Sequence, residues 1–167
     1  YEGSGSYTNN YQIDFSIEPL ERLTLTLTGR YTDSKLAFDG RGLQEKPLVS
    51  RYKAVFNAQY ATNMNRFIFD FTASLNGPCK VWDFMKVYGY DSGYTESYPL
   101  LYAQVTYRTK GVDYYFGVEN ITNYTQTNPI ISAADTSSSD FDASCIWGPL
   151  MGRRIYAGLR FTLWKTN

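Results

Sequence analysis

Apolar and polar side chains alternate with a period of two through most of this chain. Tyr11, Ile13, Phe15 and Ile17 alternate with Gln12, Asp14 and Ser16. Leu23, Leu25 and Leu27 alternate with Thr24, Thr26 and Thr28, and Gly29-Arg30-Tyr31 keeps the parity. Tyr52 to Tyr60, Phe67 to Leu75, Leu101 to Tyr107 and Val112 to Val118 repeat the pattern. The last segment, RRIYAGLRFTLW from Arg153 to Trp164, puts Ile155, Ala157, Leu159, Phe161 and Leu163 on one parity. Arg154, Tyr156, Gly158, Arg160 and Thr162 take the other. Successive side chains of a strand point to opposite faces, so each segment reads as a strand with one greasy and one polar face. About seven such segments occur and none shows a sustained helical period, which predicts an all-β, antiparallel meander.

The connections alternate too. Short ones are expected at Pro19-Leu20-Glu21, at 62–65 and at Thr109-Lys110-Gly111, and long ones over 33–49, 76–97 and 122–152. Short turns at one end and long loops at the other are the layout of an outer-membrane barrel, with apolar residues toward lipid and polar ones toward the lumen. Long structureless loops are uncommon in a compact soluble domain. Pro19 is expected in a turn, with Pro47 and Pro99 at or near strand starts. Aromatics of apolar parity gather near predicted strand ends: Tyr31 and Tyr52 on the loop side, Tyr60, Phe67, Tyr107 and Tyr114 on the turn side. Two aromatic girdles belong at those depths. Trp164 falls on the polar parity beyond the apolar stretch.

Composition fits this picture. The 167 residues suit one domain or part of one, taken here as 1–167, and 17% are aromatic, led by 16 Tyr. Tyr has an apolar body and a wet tip, which suits an interfacial belt. Lys plus Arg equals Asp plus Glu at 16 each, so charge provides no drive toward nucleic acid. No run of about 18 apolar residues exists, but a barrel strand needs only about 9–11 residues with every second one apolar. The polar start, Tyr1 to Asn10, has no signal-peptide pattern, and an odd number of strands leaves an open edge. The expectation is that the N-terminal part of a longer barrel is missing.

The chain has no His, which removes the usual Ser-His-Asp, Cys-His and zinc arrangements, and no phosphate-binding glycine motif occurs. Neither an enzyme nor a cofactor or metal site is expected. On the polar parity, Arg51, Lys53, Asp70, Arg108, Glu119, Arg154 and Arg160 are the candidate lumen-facing charges. Their plain reading is a solvated or mutually paired wall; the sharper one is contact with a plug or a solute path. Cys79 and Cys145 sit in successive long loops and form either a disulfide or two free thiols. Trp82, Phe84, Tyr88, Tyr90, Tyr94 and Trp147 are loop aromatics that either pack the loops or offer a ligand surface.

GVENITN from Gly117 to Asn123, Asn128-Pro129-Ile130-Ile131, Phe141-Asp142-Ala143-Ser144, Trp147-Gly148-Pro149 and Gly152-Arg153 occur in order. They close on Tyr156 to Leu163, with Pro47 to Lys53 and Phe69 to Thr72 upstream. This series resembles the C-terminal end of TonB-dependent receptors. The resemblance implies the C-terminal part of a plugged transmembrane β-barrel of about 22 strands. It implies the outer membrane of a Gram-negative bacterium, with the C-terminus in the periplasm. Such receptors take up a scarce bulky solute: siderophore-bound iron, another metal chelate, cobalamin or a glycan. The implied partners are outer-membrane lipid, the barrel-assembly machinery, the small-molecule solute, and the TonB complex through the missing N-terminal region. The chain lacks the family's plug and TonB box, so transport by it alone is not expected. Tyr156, Gly158, Phe161 and Leu163 also resemble the barrel-assembly signal of outer-membrane proteins, although ordinary strand residues would look the same.

Two other classes compete. One is a small complete barrel, soluble or in the outer membrane, acting as a binding protein of lipocalin type, as a structural protein or as an outer-membrane enzyme, the last weakened by the missing His. The other is a structural or adhesive surface barrel without import. A soluble barrel buries Phe67, Phe69 and Phe71, whereas a membrane barrel turns them outward.

Overall fold

The computed structural model describes residues 5–38 and 40–162. The regular structure of the described chain is all-β apart from two short 3₁₀ segments, Asn63–Asn65 and Asp83–Tyr88. Eight strands form one open antiparallel sheet: β1 (Tyr7–Leu20), β2 (Leu23–Phe38), β3 (Gly42–Glu45), β4 (Tyr52–Ala61), β5 (Phe67–Asn76), β6 (Tyr98–Arg108), β7 (Val112–Glu119) and β8 (Arg154–Phe161). Their order is β1-β2-β4-β5-β6-β7-β8, with β3 paired to the far end of β2. Among the described residues β1 and β8 each have one neighbour, so the sheet does not close.

Seven of these strands lie where the alternation places them. The eighth, β3, falls inside the segment read as the loop 33–49. There β2 runs on to Phe38 and turns back, pairing Lys35 with Glu45 and Phe38 with Gly42. The turn needs left-handed backbone at Gly40 and Gly42 (φ 69° and 68°), which glycine adopts without a Cβ penalty. Pro19 also departs from expectation. It lies within β1, beside a register irregularity between Ile17 and Leu20, and the turn falls at Glu21-Arg22. Among the described strands β1 is an edge, where a missing N–H is tolerated.

Apart from the β2–β3 turn, the tight connections lie at one end of the sheet. Arg22, Met64, Asn65 and Gly111 carry positive φ in them. The long connections lie at the other end, as the spacing predicts.

Register keeps each parity on one face across the whole sheet. Phe15, Leu27, Phe56, Ala73 and Leu101 form one row over β1, β2, β4, β5 and β6. Tyr60, Phe69, Val105, Phe116 and Ala157 form another. On the opposite face run Ser16, Thr26, Asn57, Thr72 and Tyr102.

The buried apolar core is not on this sheet. It lies in the loops, where Val81, Met85, Tyr90, Ile131 and Cys145 cluster, with Leu48, Trp82, Tyr88 and Trp147 packed against them. Among the described residues no layer covers the apolar face of the sheet, which stands open. Ile13 is 73% exposed, Phe69 47%, Phe71 39%, Leu159 54% and Phe161 63%.

Candidate functional site

Three parts of the molecule gather chemistry: the polar face of the sheet, the loop end above it, and the aromatic rows that border the apolar face.

On the polar face, some charges sit opposite countercharges, whereas others face neutral or like-charged partners. Arg108 Nε donates to Asp113 Oδ1 at 3.1 Å, and the two are register partners on β6 and β7. Glu119 pairs with Arg154, its partner on β8. Asp70 accepts from the Asn57 amide at 3.2 Å and lies between Gln59 and Gln104. Arg160 lies opposite Asp113, and Lys53 opposite Arg30. Asp70, Arg108 and Arg160 line one hollow of about 240 Å³, which spans β4 to β8 near the turn end. Glu119 and Arg154 line a second, of about 270 Å³, at the loop end. The seven candidate charges therefore do not form one basic cluster. Three of the seven, Arg108, Glu119 and Arg154, are ion-paired across adjacent strands, and such exposed pairs contribute about 0–1 kcal/mol each.

Arg51 belongs to the loop end. Its Nε and Nη2 donate to the two carboxylate oxygens of Glu45 at 2.7 and 2.6 Å. Its Nη2 also donates to the Tyr94 hydroxyl at 2.8 Å, and that hydroxyl donates to Glu45 at 2.9 Å. The guanidinium stands over the Tyr94 ring, 4.5 Å from its centroid. Fork geometry lets one arginine hold a carboxylate bidentately, which ties β3 to the loop carrying Tyr94. The guanidinium hydrogen bonds hold the Glu45 carboxyl below its usual range, and the carboxylate raises Arg51 in return.

Loop residues read as possible ligand contacts are largely structural. The Trp147 indole N–H donates to the Tyr90 hydroxyl at 3.0 Å, which donates to the Thr127 carbonyl at 3.1 Å. Buried Gln126 clamps the fold of 122–152. Its carbonyl accepts from the backbone N–H groups of Trp147 and Gly148 at 2.8 and 2.9 Å, and its amide donates to the Cys145 carbonyl at 3.0 Å. Asn120 and Asn123 of GVENITN adopt left-handed backbone (φ 51° and 55°). The Asn120 side chain bonds the Tyr124 backbone at both its N–H and its carbonyl. The Asn123 carbonyl oxygen accepts from the Arg153 N–H at 2.8 Å. Of the six loop aromatics, Phe84 is the most open.

Cys79 and Cys145 are free thiols, and no disulfide joins them. Cys79 sits on the bridge to Ser50 that prolongs the β4–β5 ladder, with its N–H donating to Thr95 Oγ1 at 2.9 Å. Cys145 is held in the loop core. Each side chain is fixed by a different set of neighbours, and burial pushes both thiols up.

In the assembly-signal quartet, Tyr156 and Gly158 face the polar side and Phe161 is exposed on the apolar side. Leu163 lies outside the described residues, as does Trp164. Sequence reasoning missed a reciprocal fit here. A Cβ on Gly158 would overlap the Tyr115 ring, and one on Gly117 would overlap the Tyr156 ring. The Tyr156 hydroxyl passes over Gly117 and donates to Gln104 Oε1 on β6 at 2.8 Å.

The apolar face is bordered by two aromatic rows. Tyr11, Tyr31 and Tyr52 are consecutive register partners on β1, β2 and β4 at the loop end. Phe67, Tyr107 and Tyr114 are partners on β5, β6 and β7 at the turn end, with centroids 4.9 and 6.2 Å apart. Among the described residues no group of three or more Cys, Asp or Glu could hold a metal ion.

No protein-family model matches the sequence, and no curated protein matches it.

Proposed function

We propose that this chain is the C-terminal part of the barrel of a TonB-dependent outer-membrane receptor, in which its apolar face meets lipid. One observation carries the membrane part of this reading. A continuous apolar face of single-layer sheet stands open between two aromatic rows, while the buried core lies elsewhere. In water such a face is costly at about 25 cal/mol per Å² of apolar surface, and a soluble barrel would fold it inward. Tyr52 through Tyr60 spans nine residues, and a tilted strand of about 9–11 crosses a bilayer core.

The order of motifs from Gly117 to Phe161 supports the receptor class. The open edges of β1 and β8 favour a longer barrel over a small complete one, because lipid leaves unpaired backbone groups unsatisfied. Eight is the smallest usual strand number, but β3 is a four-residue hairpin arm, which leaves seven full strands. The work of the parent is then uptake of a scarce bulky solute, by resemblance siderophore-bound iron, another metal chelate, cobalamin or a glycan. This part supplies wall and outer loops, and no catalysis.

The gene tests the reading. Its sequence upstream of Tyr1 is expected to encode a plug and further alternating strands in frame. The protein is expected in the outer-membrane fraction and resistant to alkaline extraction. A complete open reading frame without plug or further strands overturns the receptor class, and recovery in the soluble fraction overturns the membrane.

A further inference from the structure

We propose that a notch in the apolar face at Gly29 and Ala54 seats one acyl chain of an anionic phospholipid, whose phosphate sits at Lys35 and Lys46. The inference rests on the membrane reading above.

Gly29 and Ala54 are register partners on β2 and β4, and Ile13 is the partner of Gly29 on β1. Two minimal side chains side by side leave a hollow of about 430 Å³, walled by Tyr11, Ile13, Tyr31 and Tyr52. Its lining is almost wholly apolar, which suits a hydrocarbon chain and offers water few partners.

Tyr31 and Tyr52 also line a second cavity of about 500 Å³ immediately toward the loop end. Its charged residues are Asp33, Lys35, Glu45, Lys46 and Arg51. Arg51 is engaged bidentately by Glu45, and Asp33 accepts from the Tyr7 hydroxyl at 3.0 Å. Lys35 stands over the Tyr7 ring at 6.0 Å. Among the described residues neither Lys35 nor Lys46 forms an ion pair within 4.0 Å. One apolar hollow and one cavity with a surplus cation therefore adjoin at a tyrosine pair. An anionic lipid has the same order of parts: tail, interfacial glycerol, phosphate.

Gly29 is a convenient test position. Its φ is not positive, and an added Cβ meets only Ile13 Cγ2 at 3.4 Å, so a side chain fills the notch without backbone strain. The chain is purified in dodecylmaltoside micelles with phosphatidylglycerol or phosphatidylcholine of the same acyl chains, and retained lipid is counted by native mass spectrometry. The expected result is one phosphatidylglycerol retained at least fivefold over phosphatidylcholine. Gly29→Leu lowers that retention tenfold or more, and Lys35→Glu with Lys46→Glu abolishes the headgroup preference. Equal retention by wild type and Gly29→Leu overturns the proposal, as does a preference that survives the double charge reversal.

A second measurement separates this failure from that of the membrane reading. Phe71→Trp, in vesicles of acyl-brominated phosphatidylglycerol, reports whether the apolar face meets lipid tails. Quenching at Trp with no effect of Gly29→Leu removes the lipid site alone. Absence of quenching removes the membrane reading and the site with it.

Discussion

The phenol ring of Tyr115 lies across the backbone of Gly158, its register partner on β8, and the space a Cβ would take is filled by that ring. Two residues along, the roles reverse and Tyr156 covers Gly117, with the two tyrosine rings 6.3 Å apart. An aromatic laid over a cross-strand glycine restores the packing that glycine lacks and pins register.

Gly158→Ala is expected to destabilise the sheet by about 1–2 kcal/mol, because Tyr115 must swing away and lose its seat. Tyr115→Ala in the same chain is expected to recover part of that loss, giving a coupling energy of about 0.5–1 kcal/mol in a denaturation double-mutant cycle. Additive effects would mean that the ring contributes nothing to register. The cycle also bears on the proposed assembly signal. In the proposed longer receptor, Gly158→Asp with Phe161→Ala is expected to block insertion, and a recognition role requires that block to persist when Tyr115 is truncated.

Charge on the apolar face distinguishes lipid from water. Phe56→Lys, midway between Tyr52 and Tyr60 on β4, is expected to cost about 2–4 kcal/mol when folding is measured in vesicles, as for a cation near the middle of a bilayer. Gln59→Lys, exposed on the opposite face and facing Asp70, is expected to change stability by less than about 0.5 kcal/mol. On an ordinary wet surface the Phe56 change would be as mild as the Gln59 one.

The Glu45–Arg51 link is expected to weaken in acid. Arg51 lowers the Glu45 carboxyl in the folded state, so the unfolded chain binds its proton more readily. The stabilisation is therefore complete above the ordinary glutamate value of about 4.3 and is lost as pH falls through the lower folded value. Hydrogen exchange in 79–95 should rise over that range and stay flat in Glu45→Gln. An equal acid response in Glu45→Gln would assign the change to another group.

Gln126→Ala removes the acceptor of two backbone N–H groups and the donor to one carbonyl in a buried site. Groups left unpaired cost about 1–3 kcal/mol each, so the 122–152 loop should open with a loss of about 2–4 kcal/mol. Limited proteolysis would show cleavage there, with the strands still protected. Unchanged cleavage would mean that water replaces the amide.

Both thiols should resist maleimide in the folded chain and both should react in denaturant without reductant, because burial raises them and no bond joins them. A band shift on non-reducing gels that reductant removes would show a disulfide instead.

The strands, their faces and the end at which the long loops gather were legible in the sequence, because a period of two is a local property of extended chain. Tyr31, Tyr52, Phe67, Tyr107 and Tyr114 were placed by that period alone, and register then aligned them into rows. Register also brought Tyr115 over Gly158, across a long loop whose length says nothing about pairing. The Arg51–Glu45–Tyr94 knot, the Gln126 clamp and the loop core join residues far apart in the chain by hydrogen bonds and contacts that leave no periodic trace. Nor could alternation tell which face would be covered. That depends on whether a second layer packs on the sheet, and in this fold the loops keep their own core and leave the greasy face open.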